Sequence, residues 1–379
     1  MQAVGMVVEY NPFHNGHRYL LHQACQKTGA DVTVAVMSGN FTQRGEPTIV
    51  DKWTRTHAAL ENGVDLVVEL PIFSAVQPAH RFAAGALAIL NALQVRQVAF
   101  GAEHPDWDFT KLVTAERHFD QAEFNQYNAT YATQFNAQLK AQTGVTLREP
   151  NDILAFSYTK EVLQHHYPIQ LVPIQRRGSE YHDQQIHGRL ASASAIRHAV
   201  ANGKNLGKTV PWAMAIVLNQ VKVVPSWDQL FPLLRNQLIQ ASTTRLARTY
   251  QMAEGLENRM KEVAQQTLTF DDFIHCLKTK RYTYAHLLRM CLYVVLQISE
   301  EEMAIRIRHP YIHILGFNNR GRAYLHQVKK QVSMPIFTKV SQQMRDHLYN
   351  LDYRAGKLYQ NFTTVEQDLS HPPVMILKP

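Results

Sequence analysis

The sequence of 379 residues predicts an α/β protein in which a parallel sheet is covered by helices on both faces. Three observations support this class. Short apolar runs alternate with helical patterns through residues 1–200, polar motifs follow several of these runs, and the remaining residues are mainly helical in pattern. Continuously apolar strands are typical of parallel sheets that are buried on both faces.

The elements of the first half follow one another in regular order. Each predicted strand is a run of apolar and β-branched residues, and each is followed by a segment of helical periodicity. The third strand stops at Pro71, which cannot donate to a strand ladder. The predicted strands are 3–9, 31–38, 64–71, 95–101 and 168–175, and the predicted helices are 16–27, 52–61, 79–93, two or more within 109–166, and a short one starting near Ser192.

A turn-rich stretch, ANGKNLGKTVP, predicts a boundary between a first domain, 1–205, and a second region, 206–379. Helical patterns dominate the second region. The polar, glycine-bearing segment HILGFNNRGRAYL at 313–325 is expected to interrupt the helices as a loop. The predicted helices of this region are 212–220, 227–264, 270–278, 283–297 and 321–331.

Charge is divided unevenly between the two halves. Residues 1–200 hold 16 Lys+Arg and 18 Asp+Glu, whereas residues 201–379 hold 23 and 13. This asymmetry indicates a polyanion bound by the second half. The segments 281–290 and 313–325 mix Arg with aromatic residues, which suits phosphate contacts and stacking on unpaired bases of RNA. A basic surface that only maintains solubility, with the aromatic residues in a helical core, is the alternative.

Composition excludes several classes of protein. Cys25, Cys276 and Cys291 are widely spaced without a CxxC motif, so neither a disulfide framework nor a zinc site is indicated. No apolar run approaches the roughly 18 residues of a membrane span. The N-terminal stretch AVGMVVEY lacks a basic region and a cleavage site, so we expect no signal peptide. The cysteine pattern is typical of the reducing cytoplasm, where we expect the protein to be located.

The motif NPFHNGH follows the first strand directly and opens the first helix. The free N–H groups and the dipole of a helix N-terminus favour an anion such as a triphosphate. His14 and His17 are three residues apart, so both can face one phosphate, and Gly16 permits a close approach of the backbone. We therefore predict that His14 and His17 are catalytic, donating hydrogen bonds to the α-phosphate of ATP. Two alternatives remain: ordinary surface histidines near a turn, or a metal-binding HxxH pair, for which no third ligand is evident nearby.

Two further motifs are predicted to hold the rest of the triphosphate. In LASASAIR, Ser192 or Ser194 caps a helix whose N-terminus, with Arg197, would contact the β- and γ-phosphates. Alone, this motif is an ordinary helix cap. Arg176, at the end of the fifth strand, can fork onto phosphate oxygens, whereas Arg177 is interpreted as a surface charge.

Smaller features complete the predicted site. Asn11 and Pro12 shape the turn, and Phe13 would wall the base. Gly101 ends the fourth strand, which lets an adenine or a ribose lie against the backbone, and an ordinary turn glycine is the alternative. Asn151 is an obvious N-cap of the helix NDILAF, and only its context suggests a ligand contact. Further basic candidates, either at the mouth of the site or solvated, are Arg44, Lys52 and Arg55.

Together these motifs resemble those of the bacterial tRNA(Met) cytidine acetate ligase family, from residue 4 to about residue 325: VGMVVEYNPFHNGHRYLL, VMSGNFTQRGEP, GVDLVVELP, FGAE, NDILAF, YHD, SASAIR and ILGFNNRGRAYL. The resemblance implies a Rossmann-like nucleotidyltransferase domain of the HxGH type. It implies that acetate attacks the α-phosphate of ATP to give acetyl-adenylate and pyrophosphate. The acetyl group then passes to N4 of the wobble cytidine of elongator tRNA(Met). We expect Mg²⁺ to bridge the triphosphate, as it commonly does in nucleotide sites.

The resemblance also implies which residues contact ATP. They lie in the strand–turn–helix from Val7 to Leu20 and in the motifs that follow later strands. An adenylyltransferase acting on a small phosphorylated metabolite is the alternative, but it leaves the basic second half unexplained. No metal-ligating residue is predicted, and the predicted ATP-binding residues are Val7, Val8, Glu9, Tyr10, Asn11, Pro12, Phe13, Asn15, Gly16, Leu20, Gly101, Asn151, Arg176, Ser192, Ser194 and Arg197.

Overall fold

The computed structural model of the protein describes residues 1–120, 131–176, 188 and 190–377. Its strands form one sheet, and the first four strands are runs of mostly buried apolar residues that favour extended backbone, whereas the fifth buries only Ile174. The strands are β1 (Ala3–Val8), β2 (Val32–Ser38), β3 (Leu66–Leu70), β4 (Gln97–Ala102), β5 (Gln170–Gln175), β6 (Ile312–Asn318), β7 (Ile336–Phe337) and β8 (Val374–Ile376).

The helices of the first half connect these strands. Those of the second half mostly form a separate layer, apart from the first of them and the one after the sixth strand, which pack on the sheet. Those of the first half are α1 (Asn15–Thr28), α2 (Lys52–Glu61), α3 (Ile72–Ala75), α4 (Ala79–Ala92), α5 (Phe109–Glu116), α6 (Tyr131–Thr143), α7 (Pro150–His165) and α8 (Ala193–Ala201). Those of the second half are α9 (Trp212–Asn219), α10 (Trp227–Gln240), α11 (Thr243–Ala247), α12 (Leu256–Gln266), α13 (Phe270–Leu277), α14 (Tyr284–Val295), α15 (Glu300–Arg308), α16 (Asn319–Val328), α17 (Gln342–Asp346) and α18 (Asn350–Tyr359).

The order of the strands places a crevice beside β1. The sheet runs β5-β4-β1-β2-β3-β6-β7, with β8 paired to β6, and the first five strands are parallel. The chain moves from β1 towards β2 and β3 on one side, and then to β4 and β5 on the other. Ligands of open parallel sheets bind beyond the carboxyl ends of the strands at such a switch point.

Apolar residues bury both faces of the sheet, as the period of a strand requires. In β2, Val34 and Val36 lie in one core with residues of α4, whereas Ala35 and Met37 lie in a second core with Leu21 of α1. A third core fills the helical layer between α10 and α18. The α/β class and the five parallel strands predicted from the sequence are confirmed.

The prediction that 313–325 is a loop is wrong, because this segment forms β6 and the start of α16. β6 pairs antiparallel with β3, and His313 Nδ1 lies 2.6 Å from Glu69 Oε2 across the pair. Asn318 and Gly321, which suggested a loop, instead form the start of the helix α16. Asn318 caps α16 through the N–H of Gly321, where a Cβ would lie only 2.0 Å from the Asp65 carbonyl oxygen.

The predicted helix 227–264 is three helices, α10, α11 and α12, because Ser242 caps a new helix and Gly255 starts another at a φ of 79°. α3, α15, α17 and α18 were not predicted.

The sheet takes β6, β7 and β8 from the second region, and the boundary at 205/206 stays a prediction. Within the described residues, no helix is both long and apolar enough to cross a lipid bilayer.

Candidate active site

A cavity of about 360 Å³ opens at the carboxyl ends of β1, β4 and β5. Its wall is built by the turn after β1, the loop after β2, the start of α7 and the start of α8. The sequence-predicted residues that line it are Val7, Val8, Glu9, Tyr10, Asn11, His14, Gly16, His17, Leu20, Gly101, Asn151, Arg176, Ser192, Ser194 and Arg197.

The NPFHNGH turn is held by hydrogen bonds between its two histidines and the backbone. His14 is the N-cap of α1, and its Nδ1 accepts the Gly16 N–H at 3.0 Å. His17 Nδ1 accepts the His14 N–H at 3.2 Å. Because Nδ1 is an acceptor in both rings, the neutral form of each carries its proton on Nε2. Both histidines can therefore donate through Nε2.

The two rings are stacked on each other, with centroids 3.8 Å apart. Gly16 makes this arrangement possible, because a Cβ at this position would lie 2.8 Å from His14 Cε1 and 2.9 Å from its Nδ1. Tyr10 supports the other side of His17, with centroids 4.8 Å apart in an edge-on contact. The donors of the site are thus preorganised by packing before any ligand binds.

Both histidines are neutral at physiological pH. Burial lowers the pKa of His14 to about 3, and the charges of Arg176 and Arg197 add to the effect. Burial, together with the charges of His14 and Arg176, holds the pKa of His17 well below its usual value. The positive charge of the cavity therefore comes from the arginines, and the histidines supply neutral N–H donors.

Arg197 joins the start of α8 to the turn after β1. Its guanidinium donates to the Asn11 carbonyl oxygen at 2.8 Å and to Ser194 Oγ at 3.2 Å. Ser192 caps α8 by accepting the Ala195 N–H at 3.0 Å, which confirms the predicted cap. Two helix N-termini, those of α1 and α8, thus line one cavity with a cation between them.

On the far side of the cavity, Glu103 connects α7 to β5. Its carboxylate accepts hydrogen bonds from Asn151 Nδ2 at 2.6 Å and from the Asp152 N–H at 3.1 Å, and lies 3.6 Å from Arg176 Nε. Burial raises the pKa of Glu103. Gly101 makes room for Arg176, since a Cβ there would lie 3.2 Å from the Arg176 Cγ. Asn151 and Arg176 are therefore held at the same wall.

This geometry has close relatives among known proteins. The sequence model of the HIGH Nucleotidyl Transferase family matches residues 1–371. The chain is 65% identical to a protein named tRNA(Met) cytidine acetate ligase from Limosilactobacillus reuteri, over 99% of this chain and 100% of the relative. A protein of the same name from Limosilactobacillus fermentum is 58% identical over 100% of both chains. The chain belongs to the tRNA(Met) cytidine acetate ligase family.

Solved structures support the same conclusion. The crystal structure of apo Thermotoga maritima TmcAL (form I) matches with a TM-score of 0.90 at 30% identity, over 100% of both chains. Thermotoga maritima TmcAL bound with alpha-thio ATP matches with a TM-score of 0.87, also at 30% identity and over 100% of both chains. The resemblance inferred from the sequence motifs and the nucleotidyltransferase-like fold are confirmed.

Three predicted residues of this family member do not line the cavity. Phe13 is fully buried in the core, with its ring 4.7 Å from that of Tyr10, so it does not wall a base. Pro12 is buried in the turn, and the Asn15 side chain donates instead to the Lys208 carbonyl oxygen at 2.5 Å. The competing candidate Arg177 and the YHD motif at 181–183 lie outside the described residues.

Two other interpretations need correction. Asn151 is not the N-cap of its helix, because Glu149 holds that position and Pro150 begins α7, which leaves the Asn151 amide to bond Glu103. Lys52 and Arg55 are neither at the mouth of the site nor solvated, since both are buried. Arg55 donates to the carbonyl oxygens of Glu9, Val50, Ser38 and Gly39, and so joins the carboxyl ends of β1 and β2.

The sequence interpretation missed part of the wall in this tRNA(Met) cytidine acetate ligase family member. The loop after β2 contributes Gln43, Arg44 and Glu46, and α7 contributes Tyr158. Glu9 accepts the Gln43 N–H at 2.8 Å, and burial raises its pKa. Of these, Arg44 was a basic candidate, and Gln43 and Glu46 carried only the signal of a polar loop after a strand. Tyr158 lies within α7 and carried no signal of its own. Among the described residues, no three His, Cys, Asp or Glu side chains are grouped to hold a metal ion.

Proposed function

We propose that this protein is an ATP-dependent ligase that acetylates N4 of the wobble cytidine of elongator tRNA(Met), through acetyl-adenylate, in the cytoplasm. The observation that carries the proposal is the pair of neutral histidines, His14 and His17, whose Nε2 donors line a cavity at two helix N-termini. The relatives named tRNA(Met) cytidine acetate ligase support the choice of acid and acceptor.

In the first step, a carboxylate oxygen of acetate attacks the α-phosphorus of ATP. A new O–P bond forms, the bond from the α-phosphorus to the oxygen bridging to the β-phosphate breaks, and pyrophosphate leaves with the electron pair. His14 and His17 donate to the α-phosphate oxygens as negative charge redistributes on them. Acetate is already ionised at neutral pH, so this step needs no general base.

The leaving pyrophosphate is assigned to the other end of the cavity. Arg176 and Arg197 supply positive charge there, and Ser192 and Ser194 supply hydroxyls at the N-terminus of α8. Positioning and charge stabilisation provide most of the rate in such reactions. Mg²⁺ would enter as a complex with the triphosphate and be held by the phosphate oxygens, and we assign no side chain of this chain to it.

In the second step, the N4 amine of cytidine attacks the acyl carbon of acetyl-adenylate. A C–N bond forms, the bond between the acyl carbon and the AMP oxygen breaks, and N4 loses a proton. The cavity supports this step by holding the adenylate in one orientation, because two oriented reactants lose little further entropy on reaction.

The proposal is tested by acetate-dependent exchange of labelled pyrophosphate into ATP, followed by transfer of labelled acetate to tRNA(Met) transcripts. We expect exchange that requires acetate and label that appears on elongator tRNA(Met). A transcript with uridine at the wobble position is the matched control and should take no label. If exchange failed with acetate but occurred with a phosphorylated metabolite, the alternative adenylyltransferase would replace this proposal.

A further inference from the structure

Arg289 is a buried cation that has no hydrogen-bond or ion-pair partner among the described residues. It lies in the middle of α14, in the helical layer, and is only 8% exposed. Its Nε is buried and makes no hydrogen bond. Its guanidinium forms no hydrogen bond or ion pair with any residue in the described parts of the chain.

Other buried cations of the protein are satisfied. Lys52 Nζ lies 2.9 Å from Glu69 Oε1 and 2.6 Å from Asp368 Oδ1. Arg55 donates its N–H groups to backbone carbonyl oxygens. A buried charge that lacks such partners is costly to fold. An anion bound to the guanidinium of Arg289 would offset this cost.

Arg289 lies where the helical layer meets the wall of the cavity. A Cβ on Gly45 would be 3.1 Å from the Leu288 carbonyl oxygen and 3.2 Å from the Arg289 Cα. Trp227 Nε1 donates to the Gly45 carbonyl oxygen at 3.0 Å and holds the loop in this position. Arg44, the neighbour of Gly45, lines the cavity. Arg44 and Arg289 are therefore on adjoining segments at the cavity mouth.

The electrostatic environment of Arg289 favours an anion. Burial, and next the charge of Arg289, lower the pKa of His286 to about 4. Burial lowers the pKa of His80 as well, with contributions from Arg81 and Arg289. Burial also lowers the pKa of Arg289 itself, and the charge of Arg44 lowers it further. The positive charges of Arg44, Arg81 and Arg289 thus act on the same region of the protein. A phosphate bound to Arg289 would reduce the repulsion between them.

No acidic side chain in the described parts of the chain forms an ion pair with Arg289. Glu254 accepts a hydrogen bond from the Tyr282 hydroxyl at 2.9 Å and pairs with Arg281, and Glu46 lines the cavity itself. Tyr284, at the start of α14, is 45% exposed. Tyr284 and Arg289 are on the same helix, and an aromatic ring that stacks on a base together with a cation that binds a phosphate is typical of proteins that bind single-stranded RNA.

We propose that Arg289, with Arg44 beside it, binds a backbone phosphodiester of the RNA substrate at the mouth of the cavity and so guides the target nucleotide to the adenylate. This inference rests on the proposed function for the identity of the RNA. ATP phosphates are a weaker choice of ligand, because Arg176 and Arg197 already line the cavity whereas Arg289 lies outside its lining.

The test compares Arg289→Met with Arg289→Lys, and uses Lys330→Met as a matched loss of one positive charge. Lys330 is exposed just after α16, and Gln327 of that helix contacts the N-terminus of Met1, at the edge of the sheet opposite the cavity. The measurements are tRNA(Met) affinity at several salt concentrations, acetate-dependent pyrophosphate exchange, the KM for tRNA in acetyl transfer, and thermal unfolding.

We expect Arg289→Met to weaken tRNA binding and raise the KM for tRNA about tenfold, and to reduce the slope of log affinity against log salt by about one. Arg289→Lys should retain part of the affinity, and Lys330→Met all of it. Pyrophosphate exchange should stay at the wild-type level in Arg289→Met, and stability should be equal to that of the wild type or higher, since methionine fills the site without an unpaired charge.

Three outcomes would overturn the inference. If Arg289→Met lost exchange and transfer equally, the anion would be ATP or acetate. If tRNA affinity were unchanged, no RNA phosphate binds there. If the variant unfolded at much lower temperature and Arg289→Lys did not, the guanidinium would be structural. The affinity for tRNA is measured directly and does not depend on catalysis. A failure of the proposed catalytic activity can therefore be distinguished from a failure of this inference.

Discussion

Lys52 Nζ lies 2.6 Å from Asp368 Oδ1, and this buried contact joins residues 316 positions apart. Lys52 also donates to Glu69 Oε1 and to the Tyr349 hydroxyl, each at 2.9 Å. The Lys52 backbone N–H donates to Asn40 Oδ1 at 2.8 Å. One residue thus connects the sheet, the C-terminal segment and the loop after β2 whose later residues line the cavity.

We expect Lys52→Met to destabilise the protein by about 3–5 kcal/mol, because it leaves the buried carboxylates of Glu69 and Asp368 without their cation. The free energy of unfolding in urea measures the change. Lys357→Met is the matched control, since it breaks the partly exposed pair with Glu366 and should cost no more than about 1 kcal/mol. If both variants lost the same free energy of unfolding, the buried pairing of Lys52 would contribute no more to stability than an exposed ion pair.

This buried network is the part of the structure that the sequence could not predict. Charged residues are rarely buried unless they are paired, so Lys52 and Arg55 were interpreted as cations at the site or in solvent. Their partners come from the opposite end of the chain and from backbone carbonyl oxygens, and no local pattern encodes these contacts. The antiparallel strand β6 was missed for a related reason, since its pairing with β3 depends on tertiary structure.

The core of the candidate site, in contrast, was predictable because its chemistry is local. The N-cap of α1 and its Nδ1 contacts lie within His14 to His17, and the cap of α8 lies within SASAIR. The wall from the loop after β2 was largely missed, because its position depends on contacts such as Trp227 to Gly45. Local capping signals can be recognised in one sequence, whereas contacts between distant segments require the fold.

The two site histidines should make stability depend on pH. Their folded pKa values lie below the usual value of about 6.5, to about 3 for His14. Below pH 6.5 the unfolded chain therefore binds more protons than the folded one, and the free energy of unfolding decreases as the pH falls. The contribution of the two histidines to the free energy of unfolding therefore keeps its full value above pH 6.5. It decreases from pH 6.5 towards pH 3 by up to about 1.4 kcal/mol per pH unit for each histidine.

Urea unfolding of the wild type and of the double variant His14→Gln, His17→Gln between pH 7.5 and 5 measures this effect. The variant should show the shallower decrease. Burial raises the pKa of Asp352 to about 8, which lowers stability as the pH rises from about 4 to 8, but this contribution is common to both proteins and cancels in the comparison. Parallel curves for the two proteins would contradict the low histidine pKa values.

Gly16→Ala should abolish most adenylation without unfolding the protein. Alanine usually stabilises a helix relative to glycine by about 1 kcal/mol. Here its Cβ would lie 2.8 Å from the His14 ring, which must turn away from its cap and from the stack with His17. We expect the rate of acetate-dependent exchange to fall about 100-fold, which is the effect of removing one preorganised hydrogen-bond donor from an enzyme site.

Gly101→Ala is the comparison for that variant. Its Cβ would meet only the flexible Arg176 stem, at 3.2 Å, so the side chain can yield. We expect a moderate rise in the KM for ATP and a turnover number close to that of the wild type. If Gly16→Ala kept wild-type exchange, the orientation of His14 would not matter for adenylation.

Two replacements of His17 separate its structural contact from its donor. Asparagine places a polar atom where Nδ1 lies and can keep the hydrogen bond from the His14 N–H, but it does not reach the position of Nε2. Glutamine reaches that position with an amide N–H₂. We expect His17→Asn to lose about 100- to 1000-fold in acetate-dependent exchange, the size of one lost donor to developing charge, and His17→Gln to lose only about tenfold. Equal exchange rates in the two variants, or near wild-type turnover in both, would show that the Nε2 donor of His17 does not act on the α-phosphate.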